Sequence, residues 1–190
     1  MRLKTVKLSN FRGYQGEAVI PVDEEMTGIV GRNDFGKSTI LEALAIFFEA
    51  DGVKADKHDM NCFRLDQGDT HFEITCEFDE LPESLVLDAN VQTSLSSELL
   101  LNANGNLEIV KTYKAASGKN DKTFIRCQHP SGKPLSTLLS MKIVDLRKLG
   151  QEQGVSGAVG DERVASLWRQ AIRDSFSPFE CEEMLLDVDK

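Results

Sequence analysis

The sequence predicts a mixed α/β protein, and three features of the chain lead to that prediction. A short apolar strand at 27–30 runs into a glycine-containing loop at 31–39, and an apolar helix follows the loop. Residues 71–128 contain alternating apolar and polar stretches separated by turn residues, which is typical of an antiparallel β-meander. Apolar residues at helical spacing from residue 135 onward predict a C-terminal helical segment.

The loop at 31–39 matches the phosphate-loop pattern G-x-x-x-x-G-K-[ST] and has the strand and helix that this pattern needs on either side. Such a loop points backbone N–H groups and the positive end of a helix dipole at a phosphate chain. In this interpretation Lys37 reaches the β- and γ-phosphates of ATP, and the Ser38 hydroxyl ligates Mg²⁺. Gly31 and Gly36 permit backbone conformations that a Cβ atom would obstruct. The alternative is a chance match in a strand-to-helix turn.

Length and composition fit a globular chain with one core and a small appended subdomain. The chain has 190 residues, of which 41% are hydrophobic and 28% are charged. It contains no apolar run near the length of about 18 residues that a membrane span needs. Residues 1–7 alternate like a strand and lack the apolar core of a signal peptide, so we expect a cytoplasmic protein.

The cysteines and histidines are scattered along the chain. No CxxC pair occurs among the four cysteines, and the three histidines are equally dispersed. We therefore expect reduced, mostly structural thiols and neither a zinc site nor disulfides.

The net charge of −9 opposes simple DNA binding, because phosphate contacts need clustered basic residues. A local exception lies near the N-terminus, where Arg2, Lys4, Lys7 and Arg12 precede the first acidic residue, Glu17. These side chains are either a nucleic-acid contact or, as we favour, the solvated face of a strand.

The first seventy residues are predicted to hold three strands and one helix. Two strands at 2–8 and 16–22 precede the strand at 27–30. The helix after Lys37 has Leu41, Leu44, Ala45 and Phe48 at i, i+3, i+4, i+7 spacing, and it should end near Asp51-Gly52. Ile40, Ile46 and Phe47 widen its apolar surface, so the helix should be covered on most sides. Residues 51–70 are expected to form a loop.

In the meander, Phe72, Ile74, Cys76 and Phe78 alternate with polar residues, which predicts a half-buried strand over 71–78. Further strands are expected at 99–101, 107–113 and 123–127, the first two joined through the hairpin dipeptide Asn104-Gly105.

The last part of the chain is predicted to be helical. Helices are expected over 135–149 and 161–176, the second with Asp161 as its N-cap, and 151–160 should be a mobile glycine-rich connection. Residues 180–190 are acidic and are expected to form a ragged end. The predicted organisation is an ATP-binding lobe at 1–134 and a helical segment at 135–190, the start of an inserted or coiled region.

Three segments together resemble a known family of ATPases. Leu8 to Tyr14 resembles the "NFR" turn that opens the ABC-type ATPase heads of SMC, RecF and OLD-like (overcoming-lysogenization-defect) proteins, and residues 31–44 resemble their "G-x-N-x-x-GKS" signature. The Asn33-Asp34 pair and the stretch from Phe72 to Pro82 are similar to the OLD-like branch. The resemblance is specific over 1–50 and weak beyond 82.

The resemblance implies the N-terminal lobe of an ABC-type, phosphate-loop ATPase head that binds ATP and Mg²⁺. It places Arg12 near the nucleotide phosphates, lets Asn33 brace the loop, and uses Lys37, Ser38 and Thr39 to hold the phosphates and the metal. The implied nucleotide-binding set is Arg12, Gly31, Asn33, Asp34, Phe35, Gly36, Lys37, Ser38 and Thr39, with Ser38 as the Mg²⁺ ligand.

The chain departs from the family pattern where hydrolysis is concerned. A Walker B strand needs about four apolar residues followed by Asp-Glu. Its imperfect candidates are Glu77–Glu80, Met184–Asp187 and Lys142–Asp145, while Gln151 and Gln153 are weak candidates for the Q-loop glutamine. Catalytic residues therefore stay unassigned. We expect an N-terminal part of a longer protein, which binds ATP with little turnover and pairs with a second ATPase head, with DNA as a partner of the full-length protein in repair or phage defence.

Two other functions remain open from the sequence alone. One is a self-contained phosphotransferase or small NTPase, although no second acidic strand and no N-K-x-D motif supports it. The other is an interaction module in which a nucleotide is structural and the meander binds a partner protein.

Overall fold

The computed structural model describes residues 1–32, 36–88 and 91–188. These residues form a six-stranded sheet of order β2-β1-β3-β6-β7-β8 and a two-stranded sheet of β4 and β5. The strands are β1 (Arg2–Ser9), β2 (Glu17–Pro21), β3 (His71–Asp79), β4 (Leu85–Asp88), β5 (Val91–Thr93), β6 (Leu107–Lys114), β7 (Asn120–His129) and β8 (Glu182–Asp187). The α-helices are α1 (Lys37–Phe47), α2 (Cys62–Asp66), α3 (Ile143–Glu152) and α4 (Ala165–Ser175). No helix in these residues is both long enough and apolar enough to cross a bilayer.

Strand β1 lies between β2 and β3 and pairs with both in the antiparallel sense. Val6 of β1 lies opposite Ile20 of β2 on one side and opposite Cys76 of β3 on the other. Val6 and Leu8 are fully buried, because β1 is an interior strand whose apolar side chains face the core. The predicted strands at 2–8, 16–22 and 71–78 are thereby confirmed.

Strand β3 is buried on both faces, which the alternating sequence did not predict. The predicted apolar set is buried, and the polar residues Thr75 and Glu77 are also only 4% and 6% exposed. An interior strand can be covered on both sides even when its sequence alternates, so the prediction of a half-buried strand is wrong.

The predicted strand at 27–30 is absent, and the backbone there is irregular. Val30 is 92% exposed, because no described strand pairs with this segment. Helix α1 is confirmed, but the prediction that it is covered on most sides is wrong. Ile40, Ala43 and Ile46 are buried, whereas Leu41 is 62% exposed.

The meander also differs in part from the prediction. Strands β6 and β7 are confirmed, but 99–101 is not a strand, and β4 and β5 were not predicted. Asn104-Gly105 does form a tight turn, closed by a 2.9 Å hydrogen bond from Asn102 N to Asn106 O, with Gly105 at φ 75°. The turn leads into β6 from a loop and does not join two strands.

The C-terminal region folds around its own apolar cluster, which includes Leu138, Leu146, Trp168 and Ile172. The helix predicted over 135–149 is divided into a 3₁₀ segment, Leu135–Ser140, and α3. Helix α4 is confirmed, but its N-cap position is Val164.

Two further predictions for this region are wrong. Asp161 does not cap α4, because its carboxylate accepts the Arg163 N–H in the preceding loop. Residues 182–187 form β8 in place of a ragged end, since they add to the edge of the large sheet.

The fold comprises two compact units. The first consists of Met1–Glu80, Glu108–Ile125 and Leu186–Asp189, and contains the phosphate-loop helix α1. The second consists of Leu81–Leu107 and Arg126–Leu185, and contains α3 and α4.

Candidate functional site

The phosphate-loop helix starts from a glycine in a left-handed conformation. Gly36 is the N-cap of α1 with φ 77° and ψ 13°, a left-handed conformation that is unfavourable for residues with a Cβ atom. A Cβ atom at this position would lie 3.3 Å from the Tyr14 hydroxyl, which donates a 3.2 Å hydrogen bond to the Gly36 carbonyl. The helix start therefore requires glycine for both its backbone conformation and its contact with Tyr14.

Lys37 directs its side chain back into the loop. Its ammonium donates a 2.7 Å hydrogen bond to the Gly31 carbonyl and a second hydrogen bond to the Arg32 carbonyl. Ser38 is exposed in the first turn of α1, and Thr39 is half-buried. Among the described residues, no side chain caps the N-terminus of α1, and its first turn contains no acidic residue. This donor set suits an anion, because a cation, a hydroxyl and the N–H groups of the first helical turn are close together.

Asn33, Asp34 and Phe35 of the implied nucleotide-binding set lie outside the described residues. The structure therefore places Gly31, Gly36, Lys37, Ser38 and Thr39 together at the loop.

Arg12 lies between two carboxylates. Its Nε donates a 2.6 Å hydrogen bond to Asp59 Oδ1, and its Nη1 donates to Glu42 of α1. Burial lowers the pKa of the guanidinium, but the hydrogen bonds that it donates to Asp59 and Glu42 outweigh burial, so the pKa of Arg12 is raised. Arg12 thus contacts the helix that carries Lys37. The contact is at Glu42, one helical turn after Ser38. Its guanidinium already has two anionic partners, and its implied contact with phosphates stays a prediction.

The turn that carries Arg12 is held by a segment that the sequence had suggested was only a loop. Asn61 Nδ2 donates a 2.6 Å hydrogen bond to the Arg12 carbonyl, and Asn61 N donates a 2.8 Å bond to the Asn10 carbonyl. Phe11 is fully buried, with its ring centroid 5.6 Å from that of Phe72. These contacts hold Arg12 at φ 48°, an uncommon conformation for a residue with a side chain.

Sequence reasoning missed four residues of this site: Tyr14, Glu42, Asp59 and Asn61. Tyr14 and Glu42 lie inside the two segments that carry the family resemblance, so their position near the loop could have marked them. Asp59 and Asn61 could not be identified in this way, because only the tertiary fold brings residues 59–61 to the Arg12 turn.

The candidate Walker B acids are engaged elsewhere in the fold. Asp79 accepts hydrogen bonds from Arg2 Nε at 2.9 Å and Nη2 at 2.6 Å, and these bonds lower the pKa of Asp79. Asp187 of β8 lies 3.4 Å from the Lys122 ammonium, and Asp145 lies in the first turn of α3, outside any strand. The positions of Asp79, Asp145 and Asp187 therefore do not match a Walker B acid at the end of a strand beside the phosphate loop.

The basic residues at the N-terminus are paired within the protein. Arg2 pairs with Asp79, Lys4 lies 3.9 Å from the same carboxylate, and Lys7 pairs with Glu108 at 2.8 Å. Acidic side chains of the same protein compensate their charges. This favours the solvated face of a strand over a nucleic-acid contact.

Comparisons with known proteins identify the family of the chain. The family model described as "AAA ATPase domain" (AAA_15) matches residues 1–177. The chromosome partition protein Smc of Xanthomonas oryzae pv. oryzae is 46% identical over 44 residues, which are 23% of this chain and 4% of that protein. The DNA replication and repair protein RecF of Chlamydia caviae is 26% identical over 164 residues, which are 86% of this chain and 36% of that protein.

A solved structure from work on ATP-driven dimerisation and DNA-stimulated activation of SMC ATPases is also similar, with 15% identity and a TM-score of 0.41, over 66% of this chain and 68% of that one. The chain spans 4% to 36% of the length of the Smc and RecF relatives named above. Because the family model covers nearly the whole sequence, the predicted α/β phosphate-loop class is confirmed. The chain belongs to the AAA ATPase domain family, and its resemblance is to the ATPase heads of the SMC and RecF group.

Proposed function

We propose that this chain is the ATP-binding, N-terminal part of an ABC-type ATPase head that acts on DNA in repair or phage defence. The observation that carries the proposal is the position of the Lys37 ammonium, which donates to the Gly31 and Arg32 carbonyls beside the start of α1. A phosphate chain at this position would meet one cation and the backbone N–H groups of the first helical turn.

Each residue of the loop has a defined task in this proposal. Lys37 exchanges its carbonyl partners for the β- and γ-phosphate oxygens of ATP, and Thr39 adds a hydroxyl donor. The exposed Ser38 hydroxyl is the Mg²⁺ ligand, and the metal supplies charge neutralisation between the β- and γ-phosphates. Gly31, Asn33, Asp34, Phe35 and Gly36 form the loop that encloses the phosphates, with Asn33 bracing it.

Arg12 is the second basic residue of the proposed site. Its pairing with Glu42 ties it to α1, and rotation away from Glu42 would let Nη1 reach a phosphate while Asp59 keeps Nε. The retained pair with Asp59 would preserve the position of the side chain.

Hydrolysis needs groups beyond these residues. No Asp-Glu pair contacts the described part of the loop, and each missing charge-stabilising group typically costs several kcal/mol of activation free energy. Exposed apolar side chains before the loop and along α1 support a further part of the head that would cover them. They are Met26, Val30, Leu41 and Phe48. We therefore propose a longer protein in which this chain binds ATP with little turnover on its own.

The relatives suggest the wider setting. RecF of Chlamydia caviae is named for DNA replication and repair, and Smc for chromosome partition. By analogy we propose that two heads close on ATP and couple that closure to DNA, in the cytoplasm. The Asn33-Asp34 pair favours the OLD-like branch, in which the full-length protein would also carry a nuclease domain.

ATP binding is tested with the Lys37→Ala variant. Removal of the ammonium should weaken Mg-ATP binding at least about tenfold, since a hydrogen bond to a charged group is worth about 1.5–3 kcal/mol. Isothermal titration calorimetry measures the change, and Lys148→Ala, an exposed lysine on α3, is the matched control. Equal affinities for the two variants would remove the proposal.

The fragment proposal is tested with a longer chain. Adding the sequence downstream of residue 190 should produce ATP hydrolysis that duplex DNA stimulates, whereas the 190-residue chain should turn over ATP very slowly. Rapid turnover by the 190-residue chain as a monomer would instead favour the self-contained NTPase.

A further inference from the structure

The first unit contains a cavity of about 620 Å³ that the proposed ATP site does not use. It is lined by residues at the start of β3, by the 57–58 turn and α2, and by the turn that follows β6. None of the residues of the phosphate loop lines it. Its volume lies within the range of about 300–1,000 Å³ that is usual for small-molecule sites.

Part of the cavity wall is apolar and firmly attached to the fold. Leu65, Ala115 and Ala116 provide this surface. Ala115 N donates a 2.9 Å hydrogen bond to the Thr70 carbonyl, which joins the turn after β6 to the start of β3. Such a wall can accept the apolar body of a ligand without rearrangement.

A hydrogen-bonded network orients the polar groups on one side of the cavity. The Asp121 carboxylate forms an ion pair with the Lys114 ammonium at 2.8 Å and accepts a 3.1 Å hydrogen bond from His71 Nε2. His71 Nδ1 lies 2.9 Å from the Thr70 hydroxyl, so a carboxylate and a hydroxyl hold the imidazole from both sides. These side chains are preorganised, which lowers the entropic cost of binding.

Lys57 and His58 line the other side of the cavity and are exposed. Within the described part of the chain, no carboxylate lies within ion-pair distance of the Lys57 ammonium. The acidic residue of the lining, Asp69, is neutralised by Arg64 at 2.7 Å and also accepts a 3.2 Å hydrogen bond from Asn10. The lining therefore offers Lys57 as a cation and His58 as a second polar side chain for a ligand.

We propose that this cavity binds a small phosphate-bearing ligand of about the size of a mononucleotide. Lysine is a point-charge donor suited to phosphate, whereas planar recognition of a carboxylate favours a free arginine fork. The nearby arginine, Arg64, is already engaged with Asp69 and Gln67. Lys57 and His58 hold the phosphate, and Leu65 and Ala116 contact the remainder of the ligand.

The test uses the Lys37→Ala background, so that the phosphate loop contributes less to binding. AMP and inorganic pyrophosphate are the probes, and adenosine is the phosphate-free comparison, all measured by isothermal titration calorimetry. We expect saturable binding of AMP and pyrophosphate, with adenosine at least about tenfold weaker because the charge-assisted contacts are lost. Lys57→Ala should weaken AMP binding roughly tenfold, whereas Lys148→Ala should leave it unchanged.

A second variant separates loss of the site from loss of the fold. Ala116 is exposed in a turn, so Ala116→Trp should fill the cavity and abolish AMP binding while the thermal midpoint stays close to that of the parent. The proposal is overturned by the absence of heat with AMP and pyrophosphate, by equal affinities in Lys57→Ala and its control, or by binding of a DNA duplex without binding of either probe. The Lys37→Ala comparison tests the phosphate loop and the Lys57→Ala comparison tests the cavity, so failure of one proposal can be distinguished from failure of the other.

Discussion

The smallest determinant of the phosphate-loop site is the glycine at which α1 begins. Gly36 adopts φ 77° and lies close to Tyr14, so the loop enters the helix without a side chain at the junction. Gly28, which precedes the loop, has no atom within 4 Å of an added Cβ. A methyl group would therefore contact Tyr14 at position 36 and no neighbouring residue at position 28.

Replacement of Gly36 by alanine should lower the free energy of unfolding by about 1 kcal/mol, because alanine is disfavoured at positive φ. Mg-ATP affinity should fall as well, since the start of α1 would shift away from Tyr14. Gly28→Ala is the matched control and should change stability by less than about 0.5 kcal/mol. Urea denaturation and calorimetry measure the two effects, and equal behaviour of the two variants would contradict this role of Gly36.

His129 is a buried titratable residue in the second unit. It is 2% exposed, and its Nδ1–H donates a 3.2 Å hydrogen bond to the Leu99 carbonyl, while no described group contacts its Nε2. Burial lowers the pKa of His129 from about 6.5, the bond to Leu99 opposes that effect, and the charges of Arg173 and Glu98 act in opposite directions. The imidazole is therefore neutral in the folded state near neutral pH.

This lowered pKa predicts acid destabilisation. The unfolded chain binds a proton at His129 more readily, so the stabilising contribution is complete above about pH 6.5 and is lost as the pH falls toward the folded-state pKa. The slope is at most about 1.4 kcal/mol per pH unit for one proton. Urea denaturation between pH 7.5 and pH 5 measures the free energy of unfolding, which should change less steeply with pH for His129→Leu than for the wild type. Identical pH dependence in the two proteins would contradict the lowered pKa of His129.

At the scale of elements, packing selects which side of a helix is buried. Helix α1 has apolar residues on most of its circumference, and the sequence alone predicted that most sides would be covered, whereas only one side is buried. Its C-terminal end is held by Lys111 of β6, whose ammonium donates a 2.9 Å hydrogen bond to the Phe47 carbonyl. The ring of Phe48 lies edge-on, 6.2 Å from that of Phe78, and the side chain stays 54% exposed.

Helices α3 and α4 pack through a contact that only glycine permits. A Cβ atom on Gly150 would lie 2.4 Å from Cζ3 of Trp168, which is itself 1% exposed. Trp168 Nε1 donates a 3.0 Å hydrogen bond to the Glu162 carbonyl, so the indole cannot move aside without losing a partner.

Gly150→Ala should therefore destabilise the protein, although alanine is the better helix former. The helical gain is about 1 kcal/mol, whereas overpacking of a core costs about 1–3 kcal/mol, and a fixed indole places the cost in the upper part of that range. The expected net loss is about 1–2 kcal/mol. Gly157→Ala, where nothing lies within 4 Å of the added methyl group, is the control. Urea denaturation followed by the fluorescence of the single tryptophan measures both, and a more stable Gly150→Ala would show that the helices can separate at low cost.

At the scale of the whole molecule, the distribution of charge limits the affinity of this chain for nucleic acid. The net charge is −9, and Arg2, Lys4 and Lys7 are paired with acidic side chains of the same protein. The DNA contact proposed for the full-length protein therefore needs residues beyond those at this N-terminus.

The chain on its own should bind a 20-base-pair duplex only weakly, with a dissociation constant above about 10⁻⁴ M at 150 mM salt. Fluorescence anisotropy measures the binding, and the same chain with an appended hexalysine tail is the positive control. Tighter binding that Arg2→Ala weakens would show that the N-terminal basic residues contact DNA.

Much of the fold could be predicted from local pattern. Strands β1, β3, β6 and β7 and helices α1 and α4 follow from residues that are adjacent in the sequence, because periodicity and turn residues act over one element. The strand at 27–30 was predicted by the same reasoning and is wrong, since a strand also needs a neighbour with which to exchange hydrogen bonds. For the same reason the acidic segment at 182–187, which lies on the edge of the sheet as β8, was predicted to be ragged.

By itself the sequence determined the phosphate loop, the helix that follows it and the family, because these depend on glycines, Lys37 and Ser38 at fixed spacing within one short segment. Only the tertiary structure decided that Asp59 and Glu42 hold Arg12, that Tyr14 contacts Gly36, and that a cationic cavity lies beside β3. Each of these contacts joins residues at least twenty positions apart, and their proximity arises from how the strands and turns pack, which the spacing along the chain does not encode.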